Sequence, residues 1–213
     1  MKAQMKVKAP SPLANRAEAR REQILEAALD VFSEKGFHDA GIADIAGKLN
    51  IGHGTCYRYF KNKLDILHAL VDKILAGLIA LVREENPDKS NSLEEYRQQI
   101  VRIGEKLFIL FGKDPRQGKI VFFEAMSLDD AVQRKIRLAI DRSAKLTELY
   151  LKNGVTKGFL RSDLDTRVAS QAINAVMFEG IRIGLASSLD EKFARRWMEE
   201  VPKLMLQGMG TKK

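Results

Sequence analysis

Between residues 48 and 63 the chain carries four cations, Lys48, Arg58, Lys61 and Lys63, and no Asp or Glu. Interleaved with them are His53, Thr55, Tyr57 and Tyr59. Chemistry suited to this set is non-covalent. Ammonium and guanidinium groups match phosphate oxygens, while hydroxyl and imidazole groups can hydrogen-bond to a sugar–phosphate backbone or to base edges. Gly52 and Gly54 remove side-chain bulk where a backbone would have to come close. Covalent chemistry has no comparable support. His38, His53 and His68 are scattered, Cys56 is the only cysteine, and no G-x-S-x-G, H-E-x-x-H or complete phosphate-loop pattern occurs. The expectation is therefore a non-enzyme with no catalytic residue, no cofactor and no metal site, whose partner is double-stranded DNA.

Such residues need a rigid mount, and the surrounding pattern supplies one. A first helix is expected from about Asn15 to Lys35, with Ile24, Leu25, Ala28 and Phe32 on one face and Gly36 ending it in a left-handed cap. A second follows Gly41, burying Ile42, Ile45, Ala46 and Leu49, and stops at Asn50, a residue that tolerates the left-handed turn. A third runs from about His53 to Phe60, completing a helix-turn-helix at about 41–60. In that arrangement Gly52, His53, Gly54 and Thr55 reach base edges. Tyr57 and Tyr59 are about 200° apart on a helix, so one faces the core and one faces outward. Lys48, Arg58 and Lys61 read either as a solvated surface or as phosphate contacts, and the local absence of acids favours the second. Cys56 is expected to pack in the core.

Composition bounds the rest. The chain has 213 residues, a net charge of +8, 45% apolar and 30% charged residues. That suits a globular protein of one or two domains with an anionic partner. One cysteine suits a reducing cytoplasm. No apolar run is long enough to span a bilayer, so no membrane partner is expected. Residues 1–16 read as a flexible basic arm, either a solvated tail or an arm touching DNA. Residues 17–70 form the expected DNA-binding domain and residues 71–213 a second, helical one. Asn62 caps a long fourth helix to about Arg83, and Ser92 with Glu95 starts the next, ending near Gly112. Helices then follow from Asp114-Pro115 through Met126, from Ser127 to Asn153-Gly154, from Asp163 or Asp165 to about Ser188, and from Asp190 to about Gly208 with a bend at Pro202. The fold class is all-α, with no strand.

The order of residues across about Arg20 to Leu70 resembles the DNA-binding domain of the tetracycline-repressor (TetR) family. The resemblance rests on Ile24-Leu25-x-Ala27-Ala28, Phe32, Gly36-Phe37, Asp44-Ile45-Ala46, Gly54-Thr55, Tyr57-x-Tyr59-Phe60 and Asn62-Lys63-x-x-Ile66-Leu67. It implies that Thr55, Tyr57, Tyr59 and Lys63 contact DNA, with His53 and Arg58 available for base reading. Three positions depart from the family pattern: Gly41 at a helix cap, Asn50 in place of a turn glycine, and Cys56 in place of a larger apolar residue. None removes a DNA-contacting group.

Beyond residue 70 no motif is specific. The resemblance implies a homodimer whose helices 4 to 7 enclose a ligand pocket and whose last two helices pair. Pocket candidates are Phe108, Phe111, Phe122, Phe123, Met126 and Tyr150, which alternatively form ordinary core; as a pocket they point to a small apolar or aromatic effector. Interface candidates are Ala172, Val176, Met177, Gly180, Gly184, Trp197 and Leu204, which alternatively pack within one subunit. Two other classes remain to be separated from a ligand-responsive repressor: an enzyme without a recognisable motif, and a charge-only DNA or membrane-surface binder.

Overall fold

A computed structural model describes residues 12–125, 128, 130–186 and 190–210. Its elements are α1 (Pro12–Lys35), α2 (Ile42–Lys48), α3 (His53–Tyr57), α4 (Lys63–Arg83), α5 (Leu93–Lys113), α6 (Pro115–Lys119), a π-helical turn (Ile120–Glu124), α7 (Asp130–Thr156), α8 (Thr166–Ala186) and α9 (Glu191–Met209). No strand forms among the described residues; one isolated bridge joins Leu160 to Gly210. The protein is all-α. Two compact units, Met1–Leu70 and Val71–Lys213, divide within α4. Helix α1 begins at Pro12; residues 1–11 lie outside the described residues.

Two left-handed residues set the path of the first unit. Gly36 has φ +77° and Asn50 φ +53°, the conformations that glycine and, less readily, asparagine accept. They reverse the chain after α1 and after α2, stacking α1, α2 and α3 around one core. Ile24, Leu25, Ala28 and Phe32 of α1 meet Ile45 and Ala46 of α2, Cys56 of α3, and Phe60, Ile66, Leu67 and Leu70, all buried. Ile42 and Leu49 are only half-buried, because seven residues give α2 less than two full inward turns. Gly41 adopts an extended N-cap conformation with no side chain to offer. Asp44 compensates: its carboxylate accepts the Gly41 N–H at 2.8 Å and the Lys35 ammonium at 2.6 Å.

In the second unit α5 buries Tyr96, Gln99, Ile100, Gly104, Leu107, Phe108 and Phe111 on one stripe. Helices α7 and α8 pack together, as do α5 and α9. The expected cap at Ser92 is present in half: its Oγ accepts the Glu95 N–H at 3.2 Å, while the Glu95 carboxylate accepts from Asn91 N–H. Helix α7 continues past Gly154 to Thr156, and Asp165 rather than Asp163 caps α8, accepting from Arg167 and Val168 N–H. The helix expected from Asp114-Pro115 to Met126 is interrupted by the π-helical turn. That wider turn shifts the register so that Ile120 and Val121 are both buried while Phe123 is 40% exposed.

Candidate nucleic-acid interface and interior cavity

Helix α3 splits its own sequence by face. Cys56 is fully buried and Phe60 nearly so, which fixes the helix against α1; the Arg21 guanidinium lies 5.1 Å from the centre of the Phe60 ring. Burial pushes the Cys56 thiol up in pKa, as befits a packing residue. The other face is open: Gly52, His53, Gly54, Tyr57 and Arg58 are exposed, and Thr55 and Tyr59 half-buried. Tyr57 is 56% exposed, so Tyr59 is the more inward of the pair. A Cβ built on Gly52 or Gly54 would meet nothing within 4 Å. Internal packing therefore does not demand glycine at either position. Arg58 and Lys61 make no ion pair among the described residues and are exposed.

Two of the cations are engaged internally. The Lys48 ammonium lies 2.8 Å from the Asp30 carboxylate and 3.2 Å from Glu34, both on α1. The hydrogen bond to Asp30, helped by Glu34, raises its pKa. The local stretch is free of acids in sequence, but folding brings two acids to it, so Lys48 pins α2 to α1. Lys63 donates to the carbonyls of Phe37 at 2.6 Å, Ala40 at 2.8 Å and His38 at 3.0 Å. Its ammonium also lies 4.5 Å from the centre of the Phe37 ring. All three ammonium hydrogens have acceptors, and Lys63 holds the α1–α2 loop instead of presenting a free charge.

The second unit holds a cavity of about 60 Å³ between α4, α5, α7 and α8. Leu78, Val82, Ile100, Ile103, Leu107 and Ile173 supply its apolar wall. Of the aromatic residues singled out from sequence, only Tyr150 lines it. Its hydroxyl donates to the carbonyl of Glu85 at 2.9 Å, and burial with the nearby Glu85 charge pushes its pKa up to about 12. Phe111 and Phe122 stack edge to face with centroids 5.6 Å apart, and Phe122 lies 6.3 Å from Phe178; Phe111 is core and Phe122 half-buried, and neither lines the cavity. Phe108 borders a separate groove between α5 and α9, Phe123 points outward, and Met126 lies outside the described residues. The polar lining was missed: Gln99, Ser143, Thr147 and Asn174 face the cavity. Their signal in the sequence is a polar residue at a core position of an amphipathic stripe, such as Gln99 between Tyr96 and Ile103.

The interface candidates also divide. Met177, Gly180 and Gly184 are buried within the subunit. Gly180 is the landing site of the Trp197 indole, which a Cβ there would strike. Ala172 is exposed, Val176 and Trp197 are half-buried, and Leu204 is 73% exposed.

A three-helix unit that presents the second helix of a helix-turn-helix outward, followed by a helical unit with its own cavity, defines a helix-turn-helix DNA-binding protein. Residues 24–70 match the family described as bacterial regulatory proteins, tetR family. The chain is 26% identical over 159 residues to the fatty acid metabolism regulator protein of Bacillus subtilis, covering 75% of this chain and 80% of that protein. It is 28% identical over 162 residues to the HTH-type transcriptional regulator TtgR of Pseudomonas putida, covering 75% and 77%. The crystal structure of the transcriptional regulator FadR from Bacillus subtilis in complex with stearoyl-CoA shares the fold, with a TM-score of 0.75 and 24% identity over 88% of this chain and 98% of that one. Residues 24–70 are a DNA-binding domain of the tetR family, and the chain is a DNA-binding transcriptional regulator, not an enzyme. No helix among the described residues is long and apolar enough to cross a membrane.

Proposed function

We propose that the chain is a homodimeric cytoplasmic repressor whose affinity for an operator falls when a small, largely apolar effector enters the cavity between α4, α5, α7 and α8. The observation that carries this reading is that cavity: apolar on most sides and free of acidic or basic side chains. At about 60 Å³ it is well below the roughly 300–1,000 Å³ usual for ligand pockets. An effector of ordinary size must therefore widen it, and it binds the widened state in preference to the closed one. Such differential binding is what a ligand needs to shift a conformational equilibrium. Helix α4, which contributes Leu78 and Val82 to the wall, begins at Lys63 in the DNA-binding unit. The stearoyl-CoA of the Bacillus subtilis FadR structure makes a long-chain acyl compound the first effector to try.

Operator contact is assigned to Gly52, His53, Gly54, Thr55, Tyr57, Arg58 and Tyr59, the open face of α3 and its C-terminal extension. Lys48 and Lys63 support that face from behind. Dimerisation is assigned to the outer surfaces of α8 and α9, where Val168 is 59% and Leu204 73% exposed.

Footprinting on DNA upstream of the chain's own gene, with and without stearoyl-CoA, tests the reading. A protected, roughly palindromic site that is lost in Tyr57→Ala and released by the acyl compound supports it. Equal affinity for that DNA and for scrambled DNA would favour charge-only binding. Sedimentation of Leu204→Glu tests the interface, with a dimer-to-monomer shift expected.

A further inference from the structure

The polar groups that face the cavity are nearly all committed. Gln99 accepts from the Ser90 hydroxyl at 2.8 Å and donates to the Asn86 carbonyl at 2.8 Å. The Asn174 amide donates to Thr147 Oγ1 and to the Ser170 carbonyl, each at 2.8 Å. Thr147 Oγ1 donates onward to the Ser143 carbonyl at 3.1 Å, and the Tyr150 hydroxyl is held by the end of α4. Two are not: the Tyr96 hydroxyl, which makes no hydrogen bond among the described residues, and Ser143. Ser143 is 3% exposed, its Oγ has no hydrogen-bond partner, and it lines the cavity. A buried hydroxyl without a partner is unusual and costly, and a rotatable O–H can both donate and accept. No Asp, Glu, Lys, Arg or His lines the same space, so nothing there would neutralise an ionised group taken out of water.

We infer that the effector buries an uncharged oxygen, of an ester, thioester, ketone or alcohol, against Ser143 Oγ, with an apolar chain along Leu78, Val82, Ile100, Ile103 and Leu107. This rests on the effector reading above and narrows it. Any charged end of the molecule stays outside the cavity, and a free fatty carboxylate is a poor ligand.

Affinities of the full-length protein for methyl octanoate, 1-octanol, octanoate and octane, measured at pH 7.5 by displacement of Nile red, decide the matter. The ester and the alcohol should bind at least tenfold tighter than octanoate. Ser143→Ala should weaken the ester and the alcohol about tenfold, the worth of one hydrogen bond, while leaving octane unchanged. Unaltered circular dichroism and melting would show that the variant folds. Octanoate binding as tightly as the ester, or an ester affinity indifferent to Ser143→Ala, would overturn the inference. A cavity-filling Ile103→Trp variant separates the two levels. If it abolishes octane binding but no polar preference exists, only the Ser143 assignment fails. If no probe binds, or binding ignores Ile103→Trp, the effector cavity itself fails and this inference with it.

Discussion

Replacing Lys63 distinguishes a supporting role from a phosphate contact more sharply than any other single change. Lys63→Met keeps the aliphatic stem over Phe37 and deletes only the ammonium. Three charge-assisted bonds of 2.6–3.0 Å disappear. Each such bond contributes about 1.5–3 kcal/mol when its acceptor would otherwise stay dry. The bond to His38 is exposed and those to Phe37 and Ala40 are half-buried, so water recovers much of the loss, and a net destabilisation of about 2 kcal/mol is expected. For a unit of this size, that lowers the melting midpoint by roughly 8–16 °C. Thermal melts followed by circular dichroism and hydrogen exchange of the amides between Gly36 and Gly41 would read it. DNA titrations across a salt series supply the second arm. If Lys63 only supports the loop, the slope of log affinity against log salt stays the same as the midpoint falls. An unchanged midpoint with a slope reduced by about one, the signature of a lost phosphate contact, would refute the supporting role.

Three further outcomes follow from the same geometry. Arg58→Ala should lower that salt slope by about one, whereas Lys48→Ala should leave it unchanged and barely move stability, since exposed ion pairs contribute little; equal effects on the slope would contradict the division between them. Gly180→Ala should destabilise by about 1–3 kcal/mol because the new Cβ meets the rigid Trp197 indole, while Gly104→Ala should cost less because it meets the flexible end of Met198; urea unfolding followed by Trp197 fluorescence would compare them, and the reverse order would refute the argument. Burial pushes the Glu85 carboxyl up in pKa, but Arg102 at 3.3 Å and Lys106 at 3.5 Å outweigh it and hold it below its ordinary 4.5. A folded-state value below the unfolded one gives stability that is present above about pH 4.5 and lost as pH falls through the lower value; Glu85→Gln should make the acid limb of stability shallower below that pH, and identical limbs would count against the pairing.

The DNA-binding unit was legible in the sequence because its signals are local. Helical spacing of Ile24, Leu25, Ala28 and Phe32, the left-handed positions Gly36 and Asn50, and the Asn62 cap each act over a few residues, and the structure places them as the pattern predicts. Local reading also placed Cys56 in the core and put one of Tyr57 and Tyr59 outward, and the structure gives Tyr57 as the exposed one. The partners of Lys48 and Lys63 were decided only in three dimensions. Asp30 and Glu34 lie 14–18 positions before Lys48, and the carbonyls that hold Lys63 lie 23–26 positions before it. An acid-free stretch of sequence therefore says nothing about acids on the next helix.

The second unit shows the same division more strongly. Its helices and their caps followed from period and composition, but which aromatic residue faces the cavity depends on the rotation of each helix about its axis. The π-helical turn at Ile120–Glu124 reset that rotation for Phe122 and Phe123, and the packing of Trp197 on Gly180 set Gly180 of α8 against α9 within the subunit. By itself the sequence determined the fold class and the helix-turn-helix, since backbone propensity and amphipathic period act along the chain. Tertiary structure alone decided which cations remain free, which side chains line the cavity and that Ser143 faces it without a partner, since those depend on contacts between residues far apart in sequence.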